Sequence, residues 1–221
     1  MANIQELEKI ASQVRRDIIR MVTKAKSGHP GGSMSCADFL TALYFNVMDH
    51  NPETWTRDSK GQDAFILSAG HLTPVYYSLL SRSGYFPVAE MATFRNFGTR
   101  LQGHHSVEKG LPGIVQTSGS LGQGLSAAIG IALAKKLDND NHTVFTMLGD
   151  GESEEGQIWE GAMFAAHHKV DNLIAMTDRN HQQIDGTTEN VAGLGDLKAK
   201  WEAFGWDVIE SDGHDMDKVL D

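Results

Sequence analysis

The sequence predicts an α/β fold, a parallel sheet with helices on both faces. Apolar runs at 143–148, 172–177 and 207–210 have strand character, and each follows a stretch of helical pattern, at 123–137, 155–169 and 197–204. Alternation of this kind builds parallel βαβ units, whose crossover helices cover the sheet. The chain of 221 residues, 40% of them hydrophobic, is long enough to bury one substantial core, so one domain over residues 1–221 is the working count.

From the start, Ile4, Leu7, Ala11, Val14, Ile18 and Val22 recur at helical spacing, and the pattern stops before the turn Ser27-Gly28-His29-Pro30-Gly31-Gly32. A second helix is expected over 36–46, a short buried strand over 64–68 and a helix over 74–83. A glycine-rich tract without clean periodicity fills 94–119. The helix at 123–137 is rich in Ala, Ile and Leu nearly all round, which predicts a sandwiched helix. Lys135 and Lys136, with Asp138 and Asp140 after them, read as its solvated end. Beyond the run at 207–210 come Asp212-Gly213-His214-Asp215 and a helical pattern from Met216. A βαβ unit opened by a strand at 207–210 needs a full helix and a further strand, so the sheet is expected to be incomplete toward the C-terminus or completed by another chain.

The 29 acidic residues outnumber the 19 basic ones for a net charge of −10, and no basic stripe offsets this, which argues against a nucleic-acid backbone as partner. Cys36 is the only cysteine, so no intrachain disulfide is possible and a reducing compartment fits. The first residues lack a basic-then-apolar signal pattern, and no apolar run approaches the ~20 residues of a membrane span. The expectation is a soluble, cytoplasmic protein.

Gly149-Asp150-Gly151 directly follows one predicted strand and Asp178-Arg179-Asn180 the next. Open α/β sheets bind ligands at such strand ends. Asp150 and Asn180, with the backbone carbonyl of Gln182, offer hard oxygens to Mg²⁺, with Ca²⁺ or Mn²⁺ as alternatives, and phosphate oxygens and water would fill the remaining positions. Gly151 lets a diphosphate approach the backbone, and a helix opening near Glu155 turns amide donors toward it. An ordinary strand-to-turn Gly-Asp-Gly is the bland alternative; the pairing with Asn180 in a strand-helix-strand context favours the site.

None of the histidines has another three or four residues away, which argues against helical zinc pairs. His29, His71 and His104 each border a glycine in a loop, unlike a packed core histidine. Glu152, Glu154 and Glu155 have a bland reading as carboxylates favoured by a helix dipole. Trp159 fits core packing better than cofactor stacking, and Cys36 reads as a small core residue.

Gly149-Asp150-Gly151 through Asn180 resembles the thiamine diphosphate motif. Ser27-Gly28-His29-Pro30-Gly31, Ser68-Ala69-Gly70-His71, Gly103-His104, Gly119-Ser120-Leu121-Gly122-Gln123-Gly124 and Glu155-Gly156 resemble, in order, the N-terminal part of transketolases. The resemblance implies the thiamine diphosphate-binding fold, with residues 1–221 as the diphosphate-binding domain. It implies that His29, His71 and His104 line the cofactor and substrate cleft, His71 touching both. Gly119, Ser120 and Leu121 would lie on the cofactor's aminopyrimidine side, and Glu155 and Glu160 in an acidic network near a dimer interface. The activity implied is transfer of a two-carbon ketol unit between sugar phosphates, jointly with a C-terminal subunit carrying the pyrimidine-binding domain, in a dimer of heterodimers. Another thiamine diphosphate enzyme, similar to deoxyxylulose phosphate synthase or a dehydrogenase E1 component, is the alternative, as is a non-catalytic homologue. His105, Ala69 and Ser120 depart from the family pattern and put the shape of the substrate channel in question.

Overall fold

The computed structural model describes residues 2–221. In chain order it holds α1 (Ile4–Ala25), α2 (Pro30–Ser35), α3 (Ala37–Ala42), β1 (Ala64–Leu67), α4 (Thr73–Arg82), α5 (Gln123–Leu137) and β2 (Val144–Gly149). There follow α6 (Gly156–His167), β3 (Leu173–Asp178), the short strands β4 (Gln182–Gln183) and β5 (Gly186–Thr187), α7 (Thr188–Ala192), α8 (Leu197–Ala203) and α9 (Met216–Leu220). No helix among the described residues is long and apolar enough to cross a membrane.

The chain divides into two compact units. The first comprises Met1–Gln62, Gly70–Thr117 and Ser211–Asp221. Its α1 starts on a capping box, in which Asn3 and Glu6 exchange side-chain-to-backbone bonds of 3.0 Å, and ends where Lys26 turns left-handed. The buried face of α1 carries Leu7, Ala11, Val14 and Ile18, and also Asp17. That carboxylate is matched by Arg82 at 2.5 Å and the Ser78 hydroxyl at 2.9 Å, both on α4. The helix expected over 36–46 is α3 continued by one π turn at Leu43–Val47. Residues 211–221 do not extend the sheet: Met216 packs with Leu7, Ala11 and Ala42, and His214 Nδ1 lies 2.9 Å from Asp38, which also holds Arg15.

The second unit comprises Asp63–Ala69 and Ser118–Glu210. Its sheet has the order β1-β2-β3, all parallel, with Ala64 opposite Val144 and Val144 opposite Leu173. Ile66, Val144 and Leu148 pack with Leu125 and Ile129 of α5 and Ile158 of α6 in one apolar cluster. Trp159, half-buried, packs against that cluster and stacks on Phe204 with centroids 5.6 Å apart. A parallel sheet flanked by helices is the class the alternating pattern predicts.

Three local expectations fail. Residues 207–210 pair with no strand among those described; Val208 packs on the cluster and Ile209 is 94% exposed, so the side-chain alternation is present without a neighbouring backbone to bond. Helix α5 is not enclosed within its unit, because Ser126, Gly130 and Ala134 leave an open face of small residues that apolar content alone does not reveal. Lys135 is not solvated but 4% exposed, its ammonium held by Asp140 at 2.8 Å.

Candidate active site

Strands β2 and β3 end in register, with Gly149 opposite Asp178. The turn after β2 and the loop after β3 are therefore neighbours. Asp150 is buried, and its carboxylate accepts hydrogen bonds from the amides of Gly151 at 2.8 Å and His181 at 2.6 Å, the second joining the two loops. Asn180 donates through Nδ2 to Asp178 at 2.8 Å and accepts through Oδ1 from the Gln182 amide at 2.9 Å. Burial pushes the Asp150 carboxyl above its ordinary value and Asp178 pushes the same way, against the two amides. A cation would relieve both effects.

The turn also has the shape of a cradle. A Cβ built on Gly151 would stand 2.8 Å from Gln183 Cβ and 3.9 Å from the Gln182 carbonyl oxygen, so only glycine fits that approach. A 3₁₀ turn at Gly151–Glu154 follows, and α6 opens after Glu155 with no side chain capping its N-terminus. Among the described residues no three His, Cys, Asp or Glu side chains converge as a metal cluster. The donors here are one carboxylate with amide and carbonyl oxygens, the sparse set a Mg²⁺-like ion takes when phosphate and water complete its shell.

Glu152, given only a dipole role by the sequence, is buried at 2% exposure. It accepts from the Ser68 hydroxyl, from the Gly122 amide at 2.8 Å and from the Gly149 amide at 3.1 Å. Burial raises its carboxyl, while these donors favour the charged form. Gly119 and Ser120 are exposed, Leu121 is half-buried, and the three lead into Gly122, the left-handed N-cap of α5. Glu155 and Glu160 are exposed, at the N-cap and on the first turns of α6.

In the first unit the structure brings three predicted histidines together. His29 and His71 meet edge to face at 5.3 Å. Burial is the main reason all three imidazoles sit below their ordinary value; Arg95 adds to this for His29 and His104, and His71, next to both, falls to about 4. The cluster is neutral near pH 7. The His104 loop is fastened to α4 by Thr73 Oγ1, which donates to the Gly103 carbonyl, and by the Tyr77 hydroxyl, which donates to the Gln102 carbonyl, each at 2.8 Å. Sequence reading missed Arg95, which takes a left-handed backbone (φ 59°) and donates to Ser27 Oγ at 2.8 Å. It also missed that His105 is a core residue, packed edge-on to Tyr76 at 5.4 Å.

The family described as "Transketolase, thiamine diphosphate binding domain" matches residues 7–221. The chain belongs to the transketolase family. One of the subunits of 6-deoxy-6-sulfo-D-fructose transketolase from a Clostridium species is 44% identical over 218 residues, covering 97% of this chain and 77% of that protein. One of the subunits of apulose-4-phosphate transketolase from Phocaeicola vulgatus is 40% identical, covering 98% of this chain and 76% of that protein. Transketolase from Campylobacter jejuni superimposes with a TM-score of 0.89 at 31% identity, over 99% of this chain and 35% of its own. The chain thus spans about three quarters of its subunit-type transketolase relatives and about a third of that solved transketolase. The fold is the thiamine diphosphate-binding fold, the enzyme class is transferase, and relatives named as subunits imply a partner chain. These relatives favour transketolase over the other thiamine diphosphate enzymes weighed from sequence.

Proposed function

We propose that residues 1–221 are the diphosphate-binding domain of a two-subunit transketolase that moves a two-carbon ketol unit from a ketose phosphate to an aldose phosphate. The observation that carries this reading is the in-register ending of β2 and β3, which joins the Asp150 and Asn180 loops through the His181 amide. Asp150, Asn180 and the Gln182 carbonyl would hold Mg²⁺, or Ca²⁺ or Mn²⁺ in its place, and Gly149 and Gly151 would admit the diphosphate to the backbone. Thiamine diphosphate, when bound, supplies the electron sink needed to break and remake a carbon–carbon bond.

The chain's own residues bind, orient and move protons. Gly119, Ser120 and Leu121 would meet the aminopyrimidine side of the cofactor, as would His71. His29 and His104, neutral near pH 7, would accept hydrogen bonds from substrate hydroxyls and take or return a proton there, with His71 beside them. Glu155, exposed at the N-cap of α6, and Glu160, exposed on that helix, would face a second copy in a dimer of heterodimers. The partner would be a C-terminal subunit with the pyrimidine-binding domain, and the compartment cytoplasmic. The test is reconstitution: this chain with thiamine diphosphate, Mg²⁺, a ketose phosphate and an aldose phosphate should give no transfer until the partner is added. Full transfer by this chain alone would refute the two-subunit reading.

A further inference from the structure

The buried Glu152 side chain, which has no role of its own in the proposed chemistry, closes a hydrogen-bond network. One oxygen accepts from both the Ser68 hydroxyl and the Gly122 amide, and the other from the Gly149 amide. Ser68 Oγ in turn accepts from the Gly124 amide at 3.1 Å, and the Ser68 amide is anchored to the Met147 carbonyl at 3.0 Å. Three segments meet on this one carboxylate: the end of β1, the turn after β2, and the glycine run that opens α5. Their approach is too close for side chains, since a Cβ on Gly124 would lie 2.6 Å from Ser68 Cα, and Gly122 holds φ at +83°.

We propose that Glu152 is a positioning residue that locks residues 119–124 onto the diphosphate turn, so that the groove for the cofactor's organic part keeps a fixed distance from the groove for its phosphates. This rests on the cofactor reading above. Every bond to Glu152 comes from an O–H or N–H, so the site requires an acceptor on both oxygens. The isosteric Glu152→Gln turns an NH₂ toward at least one donor and leaves it unpaired. Residues 119–122 gain freedom, whereas Asp150 keeps its own bonds to Gly151 and His181. Two backbone amides at the N-terminus of α5 are also already held, Gly122 by Glu152 and Gly124 by Ser68.

The locked geometry therefore matters for a ligand that spans both segments and not for one that fills only the phosphate end. The experiment titrates parent, Glu152→Gln and Ser68→Ala with thiamine diphosphate and, separately, with inorganic pyrophosphate, each with saturating Mg²⁺, by calorimetry. Circular dichroism checks the fold. The expected result is a loss of at least about tenfold in thiamine diphosphate affinity for Glu152→Gln, with pyrophosphate affinity changed by less than about threefold. Ser68→Ala should shift the same way by a smaller factor, and it carries the test if Glu152→Gln does not fold. Equal losses for both ligands, or no loss for either, would overturn the positioning role. A parent chain with no preference for thiamine diphosphate over pyrophosphate would instead overturn the cofactor reading beneath it.

Discussion

Acidification should destabilise this protein through His105, and the size of the effect follows from the structure. The imidazole is 2% exposed and lies against the Tyr76 ring. Burial, with His104 beside it, pushes it down from 6.5 to about 4, against a backbone hydrogen bond with Gln116 that works the other way. The folded state thus holds the neutral form while the unfolded chain takes up a proton near its ordinary value. Stability from this residue is fully present above pH 6.5, falls as the pH drops from there, and is lost by about pH 4. At roughly 1.4 kcal/mol per pH unit, that window corresponds to about 3 kcal/mol. The assay is urea unfolding of parent and His105→Gln at intervals between pH 7.5 and pH 4. His71 titrates in the same window but is present in both proteins, so the difference between the curves isolates His105. The gap in free energy should change by about 3 kcal/mol across the range. Parallel curves would show that burial does not hold the His105 imidazole neutral.

Gly124→Ala should cost about 1–3 kcal/mol of stability, because its Cβ would press on the Ser68 backbone at 2.6 Å; an unchanged urea midpoint would count against that packing. Gly151→Ala should weaken thiamine diphosphate binding at least about tenfold, roughly 1.4 kcal/mol, by filling the cradle against Gln183, with calorimetry as the check. In the reconstituted enzyme, His29→Ala or His104→Ala should lower turnover by about 10²–10⁴-fold and leave cofactor affinity little changed. Normal turnover at saturation with poor cofactor binding would reverse that assignment.

Elements with strong local signals were legible in the sequence. The apolar spacing of α1, the runs that became β2 and β3, and the glycine-flanked loops were found because each depends on neighbours close along the chain. That the loops carrying Asp150 and Asn180 are neighbours could be anticipated because a single βαβ crossover makes its two strand ends adjacent. What stayed hidden depends on distant partners. Glu152 looks like any acidic residue near a helix start until Ser68, far away in the sequence, closes on it. Lys135 reads as solvated until Asp140 folds back over it. Residues 207–210 have the side-chain alternation of a strand, but a strand is defined by the backbone beside it, and none is paired there among the described residues. The histidine cluster needed both: the Gly-His steps marked candidates, and only the packing of α4 under the His104 loop brings His104 beside His29 and His71.

In the proposed function, Asp150 and its neighbours would hold the diphosphate of thiamine diphosphate through a divalent cation. Calorimetric titration of thiamine diphosphate into the parent chain and Asp150→Ala, each with Mg²⁺ and with a chelator, tests it most directly. The parent should bind only with Mg²⁺, and Asp150→Ala should lose more than about tenfold in affinity while its circular dichroism stays unchanged. Binding that survives chelation, or an Asp150→Ala affinity within about tenfold of the parent, would contradict it.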